Sequence, residues 1–561
     1  MDKLMRYRFA IIGGGLTATS LLCQLVDTLE DRSGPDAARA AQLEVEVFER
    51  HPEVGPGLPH NPRFVRPYHI TNMCAGDMTV RISRPDDFQR WLDRTEDVWR
   101  HRFARQEFHP PTPGDAGCRH YPRELMGRYL MDQFDDAVAR ARQLGARIKV
   151  WTECEVVDLW AEDSRLYLGV AATHHSAPVA GPFQGALLAT GHWFEKGRCK
   201  NYFSSPWPAS HLHDAIPPGA TVGVIGSSLS AIETALTLSA EGVFRRDSSG
   251  SLAYTPPDCP RRITLFSRQG FIPQVRGRIG TRRNRFFTCA RLRELMAEHG
   301  GRVKLMELFD LLDRELSAAY GAPTDWRRVA APGGSVLRTL QQGIERAVRG
   351  DGAEGELVWQ TVLVQIFPAV RAVYLSLAEA ERQRFDREFN TLFFAHAATQ
   401  PVVNAEKLLA LMQAGMVQVV AVGTHYRFEY DESSERFQLS FSDADSKAGA
   451  AAFTHCVDAR GQQRSIATDP APLTRKLLGR GLVQAAPGST SGGSMLIDPA
   501  THRVIQPGAG AQEHADLDLF AVGAMTRDQI IDASMAAGLA RSTLTIAQFL
   551  TRRLSETENP D

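Results

Sequence analysis

A short apolar run, Arg8 to Ile12, stops at Gly13-Gly14-Gly15-Leu16-Thr17-Ala18 and passes at once into a helical pattern that runs to about Leu29. No other feature constrains the fold as strongly. Strand, glycine turn and helix open a βαβ unit of the kind that holds dinucleotides. Gly13 permits the turn, Gly15 lets backbone approach a pyrophosphate, and Ala18 allows close packing of helix on strand. The helix start at Leu16 and Thr17 offers free N–H groups to phosphate. The next strand, Leu43 to Phe48, ends at Glu49, placed to accept ribose hydroxyls, with Arg50 beside it. The usual gap to this acid is about 20 residues; here the polar, Ala-rich stretch Glu30 to Gln42 lengthens it. Outside this context an ordinary loop would be the alternative reading.

A second copy follows. Ala220 to Ile225 leads into Gly226-Ser227-Ser228-Leu229-Ser230-Ala231, a helix through Ala235, and a further strand at Arg262 to Phe266. Ser228 replaces the central glycine, and its small side chain still permits close approach; Ser230, two residues on, is a further candidate cofactor contact. Ser267-Arg268 follows the strand where an acid would read a free ribose 2′-hydroxyl; an arginine there accommodates the 2′-phosphate of NADP. Arg268 as a solvated strand-end residue is the alternative. Two such turns, the first for FAD and the second for NADPH, imply an α/β fold with two Rossmann-like domains. The FAD domain is expected to be discontinuous, with the NADP domain inserted in it. Gly185 to Gly191 reads as a buried strand ending in a crossing near the cofactor, and Cys456 to Gly461 as its counterpart. Amphipathic spacing in Leu305–Ala318 and Leu337–Val348 adds a helical insert, whereas Arg245 to Pro260, rich in Ser, Pro and Gly, reads as a loop or small excursion. The expected division is 1–205 for the first part of the FAD domain, 206–290 for the NADP domain, 291–395 for the helical cap and 396–561 for the FAD-domain return.

Composition excludes several function classes. The 561 residues carry a net charge of −1, which provides no global field for nucleic acid or an anionic membrane. No stretch approaches the roughly 20 apolar residues of a membrane span, and Met1 to Phe9 lacks the apolar core of a signal peptide. The eight cysteines are scattered without a CxxC pair, so a cytoplasmic protein with mostly packed, reduced thiols is expected. No metal site is expected, and homo-oligomerisation is left open.

The ordered set GGGLTA, GPGLPH (Gly55–His60), HITNM (His69–Met73), YPRELMGRYL (Tyr121–Leu130), LLATGHW and SRQGFIP (Ser267–Pro273) resembles the FAD/NAD(P)-binding proteins related to flavin-dependent N-hydroxylating monooxygenases. The resemblance covers the chain outside the helical insert. Within the group, the nearest likeness is the branch that oxidises the aspartate amine toward nitrosuccinate. Leu519 to Gly538 resembles that family's terminal flavin-contacting strand and helix. The acid usual in that turn is replaced by Gly523-Ala524-Met525, so contact there would rest on backbone N–H groups, with Asp532 as a secondary partner. Also missing is the histidine-containing fingerprint of Baeyer-Villiger enzymes; His211 and His213 read as surface or linker residues.

The resemblance implies hydride transfer from NADPH to FAD, oxygen addition to give a flavin hydroperoxide, and attack on it by a neutral substrate amine. The protein positions and shields. Asn72, Met73 and Met78 lie on the segment that resembles the flavin-flanking loop, with Asn72 either contacting the ring or nicotinamide amide, or capping a turn. Finally, Arg261 to Phe286 holds eight arginines, at 261, 262, 268, 276, 278, 282, 283 and 285, and no acid. A solvated face is one reading of this run. The other is that Arg276, Arg278 and Arg283 fork onto the carboxylates of a small acidic amino acid such as aspartate. An FAD-dependent NAD(P)H reductase without oxygen insertion and a non-catalytic flavin-binding regulatory protein remain alternatives.

Overall fold

The computed structural model describes residues 6–31, 40–103, 119–172, 178–194, 197, 199–326, 329, 335–442, 448–461, 465–487, 493–507 and 517–556. Two parallel five-stranded sheets organise them. The first runs in the order Asp518–Ala521, Gly185–Leu188, Tyr7–Ile12, Leu43–Phe48, Arg147–Trp151. Alternation along its strands explains the layers: Phe9 and Ile11 face a core shared with helices Leu16–Asp31, Arg123–Gln143 and Ala536–Glu556. Ala10 and Ile12 face the opposite side, covered by the antiparallel sheet Cys154–Glu162, Arg165–Ala172, Val179–Phe183.

The second sheet repeats this plan. Its order is Tyr202–Phe203, His455–Asp458, Thr221–Ile225, Arg262–Ser267, Val417–Ala421. Val222, Val224 and Leu265 pack toward helices Leu229–Leu238 and Val402–Gln413. Ile225 and Phe266 pack toward the antiparallel sheet Tyr426–Asp431, Arg436–Ser442, Ala448–Phe453. Arg245 to Pro260 contains one side and the turn of a small hairpin, Val243–Arg246 with Leu252–Thr255.

These pairings correct the expected boundaries. Val417–Ala421 and His455–Asp458 lie within the stretch assigned to the FAD-domain return, yet they bond to Arg262–Ser267 and Thr221–Ile225. Tyr202–Phe203, placed with the first unit, also joins this sheet. Parallel strands pair across long crossovers, so sequence proximity does not reveal their sheet. Residues from about 465 onward rejoin the first unit, where Ile466, Leu473 and Leu477 enter its core.

Helices Cys289–Glu298, Leu305–Tyr320 and Val358–Val373, with further short turns to Ala397, form a cap around a core of their own that includes Leu292, Leu316 and Ile366. Helix Val336–Arg349 instead packs on the second unit through Leu340 and Ala347. Among the described residues, no helix is long and apolar enough to cross a membrane, and no group of three or more His, Cys, Asp or Glu side chains is placed to hold a metal ion. Among the described residues six cysteines are free. Cys74 is disulfide-bonded, a departure from the reduced set expected.

Candidate functional site

Four strands of the first sheet end at one level, because Ala521 and Ile12 both sit opposite Leu188 and Phe48 sits opposite Ile12. The residues just beyond those ends, Gly523, Gly191, Gly13–Gly15 and Glu49, therefore line one carboxyl edge, where open α/β sheets take their ligands. Gly13 has φ +107° and its absent Cβ would lie 2.3 Å from the Ala189 carbonyl oxygen, so the turn and the crossing strand touch backbone to backbone. Gly15 meets only Gly57, at 3.2 Å, and Gly191 meets nothing within 4 Å. Thr17 and Ala18 are buried at the helix start, while Leu16 is half-buried.

Glu49 is nearly sealed from solvent. Its Oε2 accepts the Gly14 N–H at 2.7 Å and its Oε1 the His51 N–H at 2.8 Å. Burial pushes its carboxyl pKa up, and the two N–H groups oppose that push. Each oxygen keeps a second lone pair for a ribose hydroxyl. Arg50 is held by the His192 carbonyl at 2.9 Å and by His51 Nε2 at 3.2 Å. The His51 imidazole is lowered to about 4, by burial and then by Arg50, and so accepts as a neutral ring. Together Gly13, Glu49, Arg50, Val156, Trp193 and Leu473 line a cleft at this edge. Val156 comes from the antiparallel sheet and Leu473 from the returning segment; neither was legible as a site residue. Trp193 was within reach, since it closes the LLATGHW run two residues after the Gly191 crossing.

The second turn repeats two backbone bonds of the first. Gly13 N–H donates to the Phe48 carbonyl at 2.9 Å and Gly226 N–H to that of Phe266 at 2.8 Å. Likewise Ala189 N–H reaches Ile12 and Ala459 N–H reaches Ile225. Ser267 thus stands where Glu49 stands, and Arg268 where Arg50 stands. In place of the acid-to-amide bond there is a Ser227–Ser267 hydroxyl pair at 2.7 Å. Ser228 is exposed at the helix cap, Ser230 is half-buried and Arg268 is exposed. A neutral hydroxyl followed by a free guanidinium suits a phosphate better than a bare ribose. Arg268→Ala is expected to weaken NADPH by about 1–3 kcal/mol and NADH far less. Flavin reduction titrated with both coenzymes checks this; equal losses would remove Arg268 from a phosphate site.

Other expected residues take different places. The Met78 side chain is buried in the first core and that of Met525 in the opposite one. Gly523, with φ +103° and no atom nearer than 4.0 Å to its missing Cβ, leaves backbone open there. Asp532 is 1% exposed, and its carboxylate accepts Arg371 Nη1 at 2.8 Å and Arg541 Nη2 at 2.6 Å. It ties the cap to the returning helix, a structural role in place of the expected cofactor contact. Met73 is half-buried against the first core. Asn72, also half-buried, makes no hydrogen bond among the described residues.

The arginine run divides. Arg261 is buried and donates to the Ile216, Leu238 and His213 carbonyls. Arg278 Nη1 donates to the Glu354 carbonyl at 2.6 Å, and Arg283 is exposed. The Arg276 Nε is sealed from solvent without a hydrogen-bond partner. Burial lowers its guanidinium pKa, and the opposing charge that acts on it is Asp77, on the turn after the Asn72 loop.

Comparison with known proteins agrees with this geometry. Residues 10–193 match a family model described as FAD-NAD(P)-binding. The Escherichia coli (strain K12) protein named "Uncharacterized protein YdhS" is 26% identical over 505 residues, spanning 84% of this chain and 86% of that one. The reduced form of ornithine hydroxylase PvdA from Pseudomonas aeruginosa superposes with a TM-score of 0.52 at 11% identity, covering 98% of this chain and 100% of the other. The ornithine N-hydroxylase KtzI of Kutzneria sp. 744 follows with a TM-score of 0.47 at 13% identity, covering 98% and 99%. The chain therefore carries an FAD/NAD(P)-binding domain within a fold that it shares, over almost its whole length, with ornithine hydroxylase.

Proposed function

We propose that the protein is an FAD- and NADPH-dependent monooxygenase that N-oxygenates a small amine, with an acidic amino acid such as aspartate as substrate. The observation that carries the redox reading is the duplicated carboxyl edge, with one turn completed by Glu49 and the other by Ser267-Arg268. Glu49, Gly15 and the helix at Leu16 would hold FAD, and Ser228 with Arg268 would hold NADPH. Bound together, the two cofactors supply the electrons for one oxygen atom to enter the amine and the other to leave as water: R–NH2 + O2 + NADPH + H+ gives R–NHOH + NADP+ + H2O. Likeness to ornithine hydroxylase supports this class.

Arg276 supports the acidic substrate. A sealed, unpartnered Nε donor leaves one N–H of the guanidinium unsatisfied, at a cost of about 1–3 kcal/mol. A substrate carboxylate would satisfy it and leave the amine free to be oriented, with Asn72 as a second polar contact from the facing loop. Aspartate, but not lysine or ornithine, is expected to stimulate NADPH-dependent oxygen uptake with hydroxylated product. Arg276→Ala should raise the aspartate requirement about 10- to 100-fold with FAD content unchanged. Product from a cationic amine with aspartate inert would reject the acidic substrate. NADPH oxidation without any oxygenated product would favour the reductase.

A further inference from the structure

The HITNM and YPRELMG motifs meet the second dinucleotide unit. Arg123, at the start of helix Arg123–Gln143, donates from Nε to Glu233 Oε1 at 2.5 Å. His69 Nε2 lies 2.9 Å from Thr237 Oγ1, while its Nδ1 accepts the Arg66 N–H at 3.2 Å, which assigns the Nε2–H tautomer. Burial holds this ring neutral, with its pKa lowered to about 4. Glu233 and Thr237 stand one turn apart on helix Leu229–Leu238, on a common face. All four side chains are withdrawn from water: Arg123 is 13% exposed, and His69, Glu233 and Thr237 are 5% or less. Tyr68 adds an apolar contact to the second unit's core.

Stability alone does not call for such a joint, since a buried ion pair is often no better than apolar packing of the same volume. What it provides is direction. Apolar surfaces slide at little cost, whereas a guanidinium–carboxylate bond and an imidazole–hydroxyl bond one helical turn apart define a single register. The helix they grip begins at Ser228, the turn that would take the nicotinamide coenzyme. Donor and acceptor of the hydride sit on different units, so their separation depends on how this helix is held.

We propose that Arg123, His69, Glu233 and Thr237 form an interdomain joint that positions the nicotinamide coenzyme against the flavin. They are positioning residues, and the inference rests on the two-dinucleotide reading alone. A displacement of about 1 Å in a reacting pair can cost on the order of a hundredfold in rate. The test is anaerobic stopped-flow reduction of the FAD-loaded protein by NADPH, comparing wild type, Glu233→Gln, His69→Gln and the charge swap Arg123→Glu/Glu233→Arg. The expected result for Glu233→Gln is a limiting reduction rate about 10- to 100-fold lower. FAD content, the coenzyme concentration at half-maximal rate and reoxidation of dithionite-reduced protein by oxygen should be unchanged. The smaller change His69→Gln, which keeps a donor and an acceptor, should lose less, and the swap should recover part of the rate. Unchanged reduction in Glu233→Gln would overturn the joint, as would a fall matched by loss of FAD or slowed reoxidation. If neither nicotinamide coenzyme reduces even the wild type, the two-dinucleotide reading itself fails.

Discussion

Gly15→Val is expected to purify as folded apoprotein without FAD. Gly15 differs from its neighbour in kind. Gly13 has a left-handed φ and its Cβ would enter the Ala189 carbonyl, so Gly13→Ala should break the sheet crossing and misfold. Gly15 has no such φ, and a Cβ would meet only Gly57 Cα at 3.2 Å. Alanine needs a shift of a few tenths of an ångström. Valine adds two carbons above the start of helix Leu16–Asp31, where phosphate oxygens would take the free N–H groups. Losing two charge-assisted hydrogen bonds of about 1.5–3 kcal/mol each weakens binding by roughly 10²- to 10⁴-fold. Ser228→Val, at the equivalent position of the second turn, should retain FAD and lose NADPH. Flavin absorbance per protein, with melting curves for both variants, decides the matter. Stoichiometric FAD in Gly15→Val would show that the first turn does not carry the pyrophosphate.

That contrast shows why so much of the nucleotide fold was legible. A glycine turn between a buried strand and a helix is a local signal, set by φ and by close approach, and it marked Gly13–Ala18 and Gly226–Ala231 without reference to distant residues. The same logic did not reach Val417–Ala421. That strand reads as any short apolar run, and only its long-range pairing with Arg262–Ser267 places it in the second sheet. Nor does that logic reach Met78 and Met525, which sit beside cofactor-like turns and send their side chains into opposite cores. Asp532 was legible as an important acid but not as a tie, because its partner Arg371 lies on the cap 161 residues away. The arginine run shows the same limit: its segment holds no acid, but folding brings Glu315 and Glu354 to its backbone and side chains.

Glu315 makes the strongest of those contacts, and Glu315→Ala is expected to unfold the cap while sparing both nucleotide units. The side chain is fully buried on helix Leu305–Tyr320, beside Leu311, Leu312 and Leu316 of the cap core. Its Oε2 accepts the N–H groups of Arg285, Phe286 and Phe287 at 2.9, 2.7 and 3.1 Å, and its Oε1 also accepts Arg285 at 3.0 Å. Three consecutive donors on one carboxylate turn the end of the arginine segment into the cap, with Gly277, Gly280 and Asn284 bonded along helix Val358–Val373. Removing the acceptor costs about 1–3 kcal/mol for each of those N–H groups left buried and unsatisfied, Phe287 above all. The summed loss reaches a large share of the 5–15 kcal/mol that holds a typical domain together. Glu315→Gln keeps acceptor lone pairs but swings an NH2 toward another N–H, so it should lose less. Limited proteolysis should cleave Glu315→Ala within 289–397 while FAD remains bound. A variant that resists protease as the wild type does would show that the three N–H bonds to Glu315 do not hold the cap together, and would leave the backbone bond from Arg276 to Gln400 as a tie of the arginine segment that does not depend on Glu315.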